Sequence, residues 1–120
     1  MTTRQLEALC RGWPGVTVDI KWGADLVFSV AGKMFVITPV EGGRLTFKVE
    51  EERFLELTDQ PGIIPSPYLA RSHWVGVIEP WRFATEELAA LIRTSYGLVR
   101  ARLTKKMQAA LGPWPPEQDT

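Results

Sequence analysis

The chain predicts an α+β fold in two layers, an antiparallel meander sheet with the N- and C-terminal helices on one face. Three observations lead there. Between residues 16 and 49, four short runs rich in Val, Ile, Phe and Thr follow one another, joined by brief connections carrying Gly or Pro. Connections that short join antiparallel neighbours. Helical periodicity is strongest at the two ends of the chain, and each end helix carries one apolar stripe that has to be buried. Laying both helices on a single face of the sheet covers both stripes and leaves the opposite face wet.

The elements follow in order. Thr2 with Gln5 three residues later forms a capping box that starts a helix. Leu6, Leu9 and Cys10 are its stripe, and Gly12 and Pro14 end it. Trp13-Pro14-Gly15 is a stiff turn. Val16, Val18, Ile20 and Trp22 then alternate with Thr17, Asp19 and Lys21, so the first strand reads as half-buried. Gly23-Ala24 leads to a second strand over 25–30, and Ala31-Gly32 to a third over 33–38. A looser tip from Pro39 to Gly43 leads to a fourth over 44–49, where Leu45, Phe47 and Val49 point one way and Arg44, Thr46 and Lys48 the other.

Residues 50–58 read as a short helix whose early acids suit the helix dipole and whose anchors are Phe54 and Leu57. A proline-rich connection from Pro61 to Trp74 holds Tyr68, Arg71 and the only histidine, His73. Within it, Ser66-Pro67 reads as the N-cap and first residue of one helical turn through Arg71. A fifth strand over 73–79 contains Trp74, Val75, Val77 and Ile78, and Pro80 ends it. Thr85 caps the long last helix, in which Leu88, Leu91, Ile92, Ser95, Val99 and Leu103 fall on one stripe. Gly97 weakens its middle by ~1 kcal/mol relative to alanine. Thr104 restarts a shorter helix through Leu111, stopped by Gly112-Pro113. Residues 1–112 are thus read as one domain and 113–120 as a loose tail.

Composition narrows the function classes. With 14 basic and 14 acidic residues the net charge is zero, so no global field draws the chain to nucleic acid or membrane. Polyanion binding has to come from local clustering. Lone Cys10 excludes an internal disulfide and fits a reducing compartment. No apolar run approaches the ~20 residues of a membrane span, and the N-terminus lacks the apolar core of a signal peptide. The expectation is a cytoplasmic monomer that does not engage membranes. One histidine and one distant cysteine do not make a zinc site. His73 has no nucleophile beside it in sequence, and Gly42-Gly43 reads as a turn, with no glycine-rich phosphate loop in the chain. Neither catalysis nor a cofactor is expected.

An ordered set of short motifs carries a family resemblance. They are Trp13-Pro14-Gly15; Trp22-Gly23 with Asp25-Leu26-Val27-Phe28; Gly32-Lys33-Met34-Phe35; Leu45-Thr46-Phe47-Lys48-Val49 before acids; Pro61-Gly62-Ile63-Ile64-Pro65; His73-Trp74-Val75; and Ser95-Tyr96 with Leu98-Val99 and Leu103. The chain resembles the MmcQ/YjbR family over about residues 4–106. Trp13 stands where leucine is frequent and Arg71 where lysine is frequent. The resemblance implies a CyaY-like fold, an antiparallel sheet with helices on one side, and a DNA-binding role through a double-wing motif. It also raises the iron binding of the frataxin fold, but the first helix has only Glu7, with Asp19 and Asp25 scattered, too few oxygens for a hard cation.

The residues that would carry nucleic-acid binding are Lys33, Arg44, Lys48, Arg71, His73, Trp74, Arg93 and Arg100. Lys33 and Arg44 lie near hairpin tips, as wings. Lys48 suits a phosphate as a point charge, or is simply solvated strand. Arg71 can grip a phosphate with two bonds, and Trp74 can stack on a base. The bland alternative is that Trp74 fills core and His73 ties down its loop. Arg93 and Arg100 belong to a basic stretch with Arg102, Lys105 and Lys106 in which no acid falls. Tyr96 is expected to pack between helix and sheet with its hydroxyl on backbone. The second reading is a non-enzymatic protein-interaction or small-ligand module on the same open face.

Overall fold

The computed structural model describes residues 1–67 and 69–115. Helix α1 (Thr3–Cys10) opens with the expected capping box between Thr2 and Gln5. Strands β1 (Val16–Lys21), β2 (Asp25–Val30), β3 (Lys33–Pro39) and β4 (Leu45–Lys48) follow. A 3-10 turn over Glu51–Arg53 runs into helix α2 (Phe54–Thr58). Strands β5 (Ile63–Pro65) and β6 (Trp74–Val77), helix α3 (Thr85–Arg100) and helix α4 (Lys105–Leu111) complete the chain.

All six strands form one antiparallel sheet in the order β1-β2-β3-β4-β6-β5. The meander therefore holds through β4, after which β5 takes the far edge and β6 fills the place beside β4. One face of the sheet supplies Leu26, Phe28, Val36, Leu45, Phe47, Val75 and Val77 to a single core, where they meet Leu6 and Cys10 of α1 and Leu88, Ile92 and Tyr96 of α3. This is the expected α+β architecture. Cys10 is part of that core, and burial pushes its thiol pKa up to about 12. Tyr96 is fully buried and donates its hydroxyl to the Pro14 carbonyl at 2.7 Å, as the sequence suggested.

Several expectations are corrected. β1 is not half-buried: only Val16 is partly covered, while Val18 and Ile20 are exposed. Their side chains are on the core side of the sheet, opposite Phe28 and Leu26, but the helix layer packs over β2, β3 and β4 and leaves the outermost strand uncovered. The proline-rich connection contains a sixth strand, because Ile63, Ile64 and Pro65 pair with Val77, Gly76 and Val75. Pro65 is tolerated since β5 is an edge. Ser66 is not a helix cap, for its N–H donates to the Trp74 carbonyl and extends that pairing. The helical turn is a 3-10 turn over Ala70–Ser72 instead, and Tyr68 lies outside the described residues. Thr85 is the first residue of α3; the N-cap is Ala84, without a side-chain bond.

The tail expected from residue 113 begins packed. The Trp114 ring centroid is 4.4 Å from that of Tyr96 and 5.7 Å from that of Trp13. A Cβ on Gly97 would meet the Trp114 indole nitrogen at 3.3 Å, so the helix glycine makes room for this ring. Residues 116–120 lie outside the described residues. Among the described residues no helix is long and apolar enough to cross a membrane.

Candidate functional site

The site begins with a fault in the sheet. β3 and β4 pair only at Val36 with Phe47 and Ile37 with Thr46. In the next register position, Phe35 and Lys48, the ladder bond is replaced by a helix side chain. The Lys48 N–H donates to Ser95 Oγ at 3.0 Å, and Ser95 Oγ donates to the Phe35 carbonyl at 2.6 Å. A bulge in β3 accompanies this: Phe28 faces Val36 while Ser29 faces Met34, which leaves Phe35 as the extra residue. Bulges bend the strand that carries them. The two strands thus fork, and α3 plugs the gap.

At the open end of the fork lies a cleft of about 380 Å³. Lys33 from β3, Lys48 from β4 and Arg102, from the turn after α3, line it, with no carboxylate among the lining residues. Met34, Trp74, Val99 and Leu103 form its apolar walls. The Lys48 ammonium donates to the Ser72 carbonyl. Partial burial, and secondarily the Arg102 charge, hold the Lys48 pKa below its ordinary value. An anion entering the cleft would relieve the second of these.

Trp74 resolves neither in favour of core filler nor of open stacking platform. It faces Lys48 across β6 and β4, on the side of the sheet away from the main core, yet is only 6% exposed. The supposedly wet face is therefore partly dry, with Val27 and Ser29 buried on it too. Trp74 can offer a ligand an edge, not its whole ring.

The remaining sequence candidates scatter. Arg71 is exposed and immediately precedes Ser72, one of the residues that line the cleft. His73 adopts the left-handed conformation at φ 64°, and its ring packs against Phe54 at 5.6 Å between centroids, outside the cleft. Arg44 precedes β4, about 13 Å along the strand from Lys48. Its stem crosses Gly76, where a Cβ would meet the Arg44 Cδ at 3.2 Å. Arg93 stacks over Trp114 at 4.7 Å in a separate cleft that also contains Glu50.

Arg100 is a correction. It is 4% exposed, and its guanidinium donates to Tyr96 Oη at 3.1 Å and to the carbonyls of Gln108 and Gly112. It fastens α4 to α3 and has no face left for a nucleic acid. Sequence reading had counted Arg102 only within a basic stretch and missed Met34, Ser72, Val99 and Leu103 as a site. Arg102 lies beyond the last helical residue, where a side chain is freed from the buried stripe; that position was its only signal. Among the described residues no group of three or more His, Cys, Asp or Glu could hold a metal ion.

Comparison with known proteins follows the same outline. A family model described as YjbR matches residues 11–98. The crystal structure of a Deinococcus radiodurans protein with a DUF419 domain is 30% identical, covers 99% of this chain and 94% of its own, and superposes with a TM-score of 0.87. A Pseudomonas syringae protein is similar in fold, at 22% identity over 82% of this chain and 99% of its own, with a TM-score of 0.66. No curated protein matches the sequence.

Proposed function

This chain belongs to the YjbR family, and we propose that it is a non-enzymatic DNA-binding domain that seats a backbone phosphate in the cleft at the fork. The observation that carries this reading is the convergence of Lys33, Lys48 and Arg102 on one cavity in a chain of zero net charge. Three cations without an intervening carboxylate attract an anion by position. Arg102 supplies a planar fork for two phosphate oxygens, and Lys48 a point charge on a third. Arg71, next to Ser72, extends the positive surface outward. The cavity volume is in the range that holds one small ligand, so it accommodates a single phosphate with part of its sugar, with Trp74 and Met34 as walls. This favours a strand threaded past the sheet end over a duplex groove read by a helix. Cytoplasmic location is part of the same proposal.

Fluorescence anisotropy with labelled single-stranded and duplex DNA tests it. Each phosphate neutralised costs about 3.5-fold in affinity for duplex and about 2.6-fold for single-stranded DNA between ~50 and ~200 mM salt, so one seated phosphate predicts a shallow salt dependence. No complex with either form at the lower salt would end the DNA reading. Competition by a mononucleotide at equal phosphate concentration would shift the assignment to a small phosphorylated ligand.

A further inference from the structure

β1 leaves one edge of the sheet unpaired, and its charge pattern specifies what fits there. Val18, Ile20 and Trp22 are 45%, 63% and 66% exposed. Edge strands of soluble proteins are normally blunted against pairing. This edge has two exposed charges, but of opposite sign, Asp19 and Lys21, and neither has an ion-pair partner among the described residues.

The hydrogen-bond phase of the strand is fixed. The Ala31 N–H donates to the Gly15 carbonyl, in the register that sets Thr17 opposite Ser29 and Asp19 opposite Val27. Ladder bonds recur at every second residue. Thr17, Asp19 and Lys21 therefore direct their backbone groups to β2, while Val18 and Ile20 direct theirs to the empty side.

We propose that β1 pairs antiparallel with β1 of a second copy of this chain, about a two-fold axis through Ile20, making one sheet continuous through both copies. Alternative axes fail on charge. An axis at Asp19 sets two aspartates face to face, and one at Lys21 sets two lysines face to face. An axis at Val18 sets Asp19 against the partner's Thr17 and leaves Lys21 unmatched. The axis at Ile20 sets Asp19 opposite the partner's Lys21 twice over. These are positions without direct backbone bonds, where side chains lie closest. The outward backbone groups of Ile20 then bond the partner's Ile20. On the core side, Val18 comes opposite the partner's Trp22. Trp22 follows the strand in the left-handed conformation, at φ 53°. Asp25 lies across from Lys21 on β2, so each Lys21 sits between two carboxylates. The pairing covers the apolar side chains that the helix layer leaves bare. A dimer departs from the monomer expected from sequence, and it is independent of the cleft.

Sedimentation equilibrium of the full chain over ~1–100 µM measures it, since association is concentration-dependent. The wild type is expected to dimerise. Asp19→Lys alone or Lys21→Asp alone creates two like-charge pairs and weakens the dimer by about tenfold or more. The combined exchange, Asp19→Lys with Lys21→Asp, restores it to within about threefold. Circular dichroism should be unchanged throughout, because both side chains are exposed. A wild type that stays monomeric, which would leave the edge to an extended segment of another protein, overturns the proposal. So do single variants that dimerise normally, or an exchange that fails to restore.

Discussion

The fork in the middle of the sheet and the β1 edge handle exposure in opposite ways. At the β3–β4 fork the structure gathers charge: Lys33, Lys48 and Arg102 come from three separate segments and meet over apolar walls. At the β1 edge it leaves apolar groups bare: Val18, Ile20 and Trp22 project past the limit of the helix layer. The first arrangement suits an anion, whose affinity depends on salt. The second suits another strand, whose fit depends on register. The lesson is that each surface is defined by what the helices do with the sheet beneath. α3 reaches into the fork and holds it open with Ser95, whereas at β1 Glu7 and Arg11 of the first helix border Val16 and Val18 and Ile20 stays exposed.

Crossed variants should separate the two surfaces. Lys48→Glu with Arg102→Glu puts two carboxylates in the cleft. DNA affinity should fall at least 100-fold by anisotropy, while the sedimentation profile stays that of the wild type. Loss of both properties together would show that the two surfaces are one.

A smaller effect tests how the cleft end is held. Arg100→Ala removes a buried guanidinium bound to Tyr96 and two carbonyls. It should cost about 2–3 kcal/mol in urea unfolding, whereas Arg102→Ala should leave stability within about 0.5 kcal/mol and weaken DNA binding. Ser95→Ala should cost about 1–2 kcal/mol by leaving the Lys48 N–H and Phe35 carbonyl unpaired. It should also weaken DNA binding, since the fork loses its wedge; equal stability of Ser95→Ala and wild type would refute the wedge.

The last effect lies under both surfaces, in the core, and is absent at neutral pH. The Cys10 thiol is raised in the folded state from 9.0 to about 12. The unfolded chain therefore releases this proton first as pH rises. The stability held by the neutral thiol is complete below pH ~9 and declines by up to about 1.4 kcal/mol per pH unit above it, towards pH ~12. Cys10→Ala should remove that part of the alkaline slope in pH-dependent melts. Slow labelling of native Cys10 by iodoacetamide at neutral pH is the companion result.

Much of the fold was legible because its signals are local. The Thr2–Gln5 capping box, the glycine turns after β1 and β2, and the stripe of α3 are each written within a few residues. β5 was hidden because Pro61, Pro65 and Pro67 mark turns, and only an edge position lets a proline end a strand. Lys33, Lys48 and Trp74, singled out from motif and alternation, line one cleft. Arg93 lines a different cleft and Arg100 is buried, because a basic run on a helix does not disclose which side each residue takes.

Taken by itself, the sequence determined five of the six strands, the start of α1 and the two-layer plan, since alternation and capping act between near neighbours. Only the tertiary structure decided which exposed-looking residues are exposed. Arg100 and Arg102 stand two positions apart, yet one fastens α4 while the other opens onto the cleft. Val18 and Phe28 share a face in direct register, yet one is bare and the other fully buried. Periodicity assigns a side chain to a side; how far the opposing layer extends over that side is fixed by packing between segments distant in the chain.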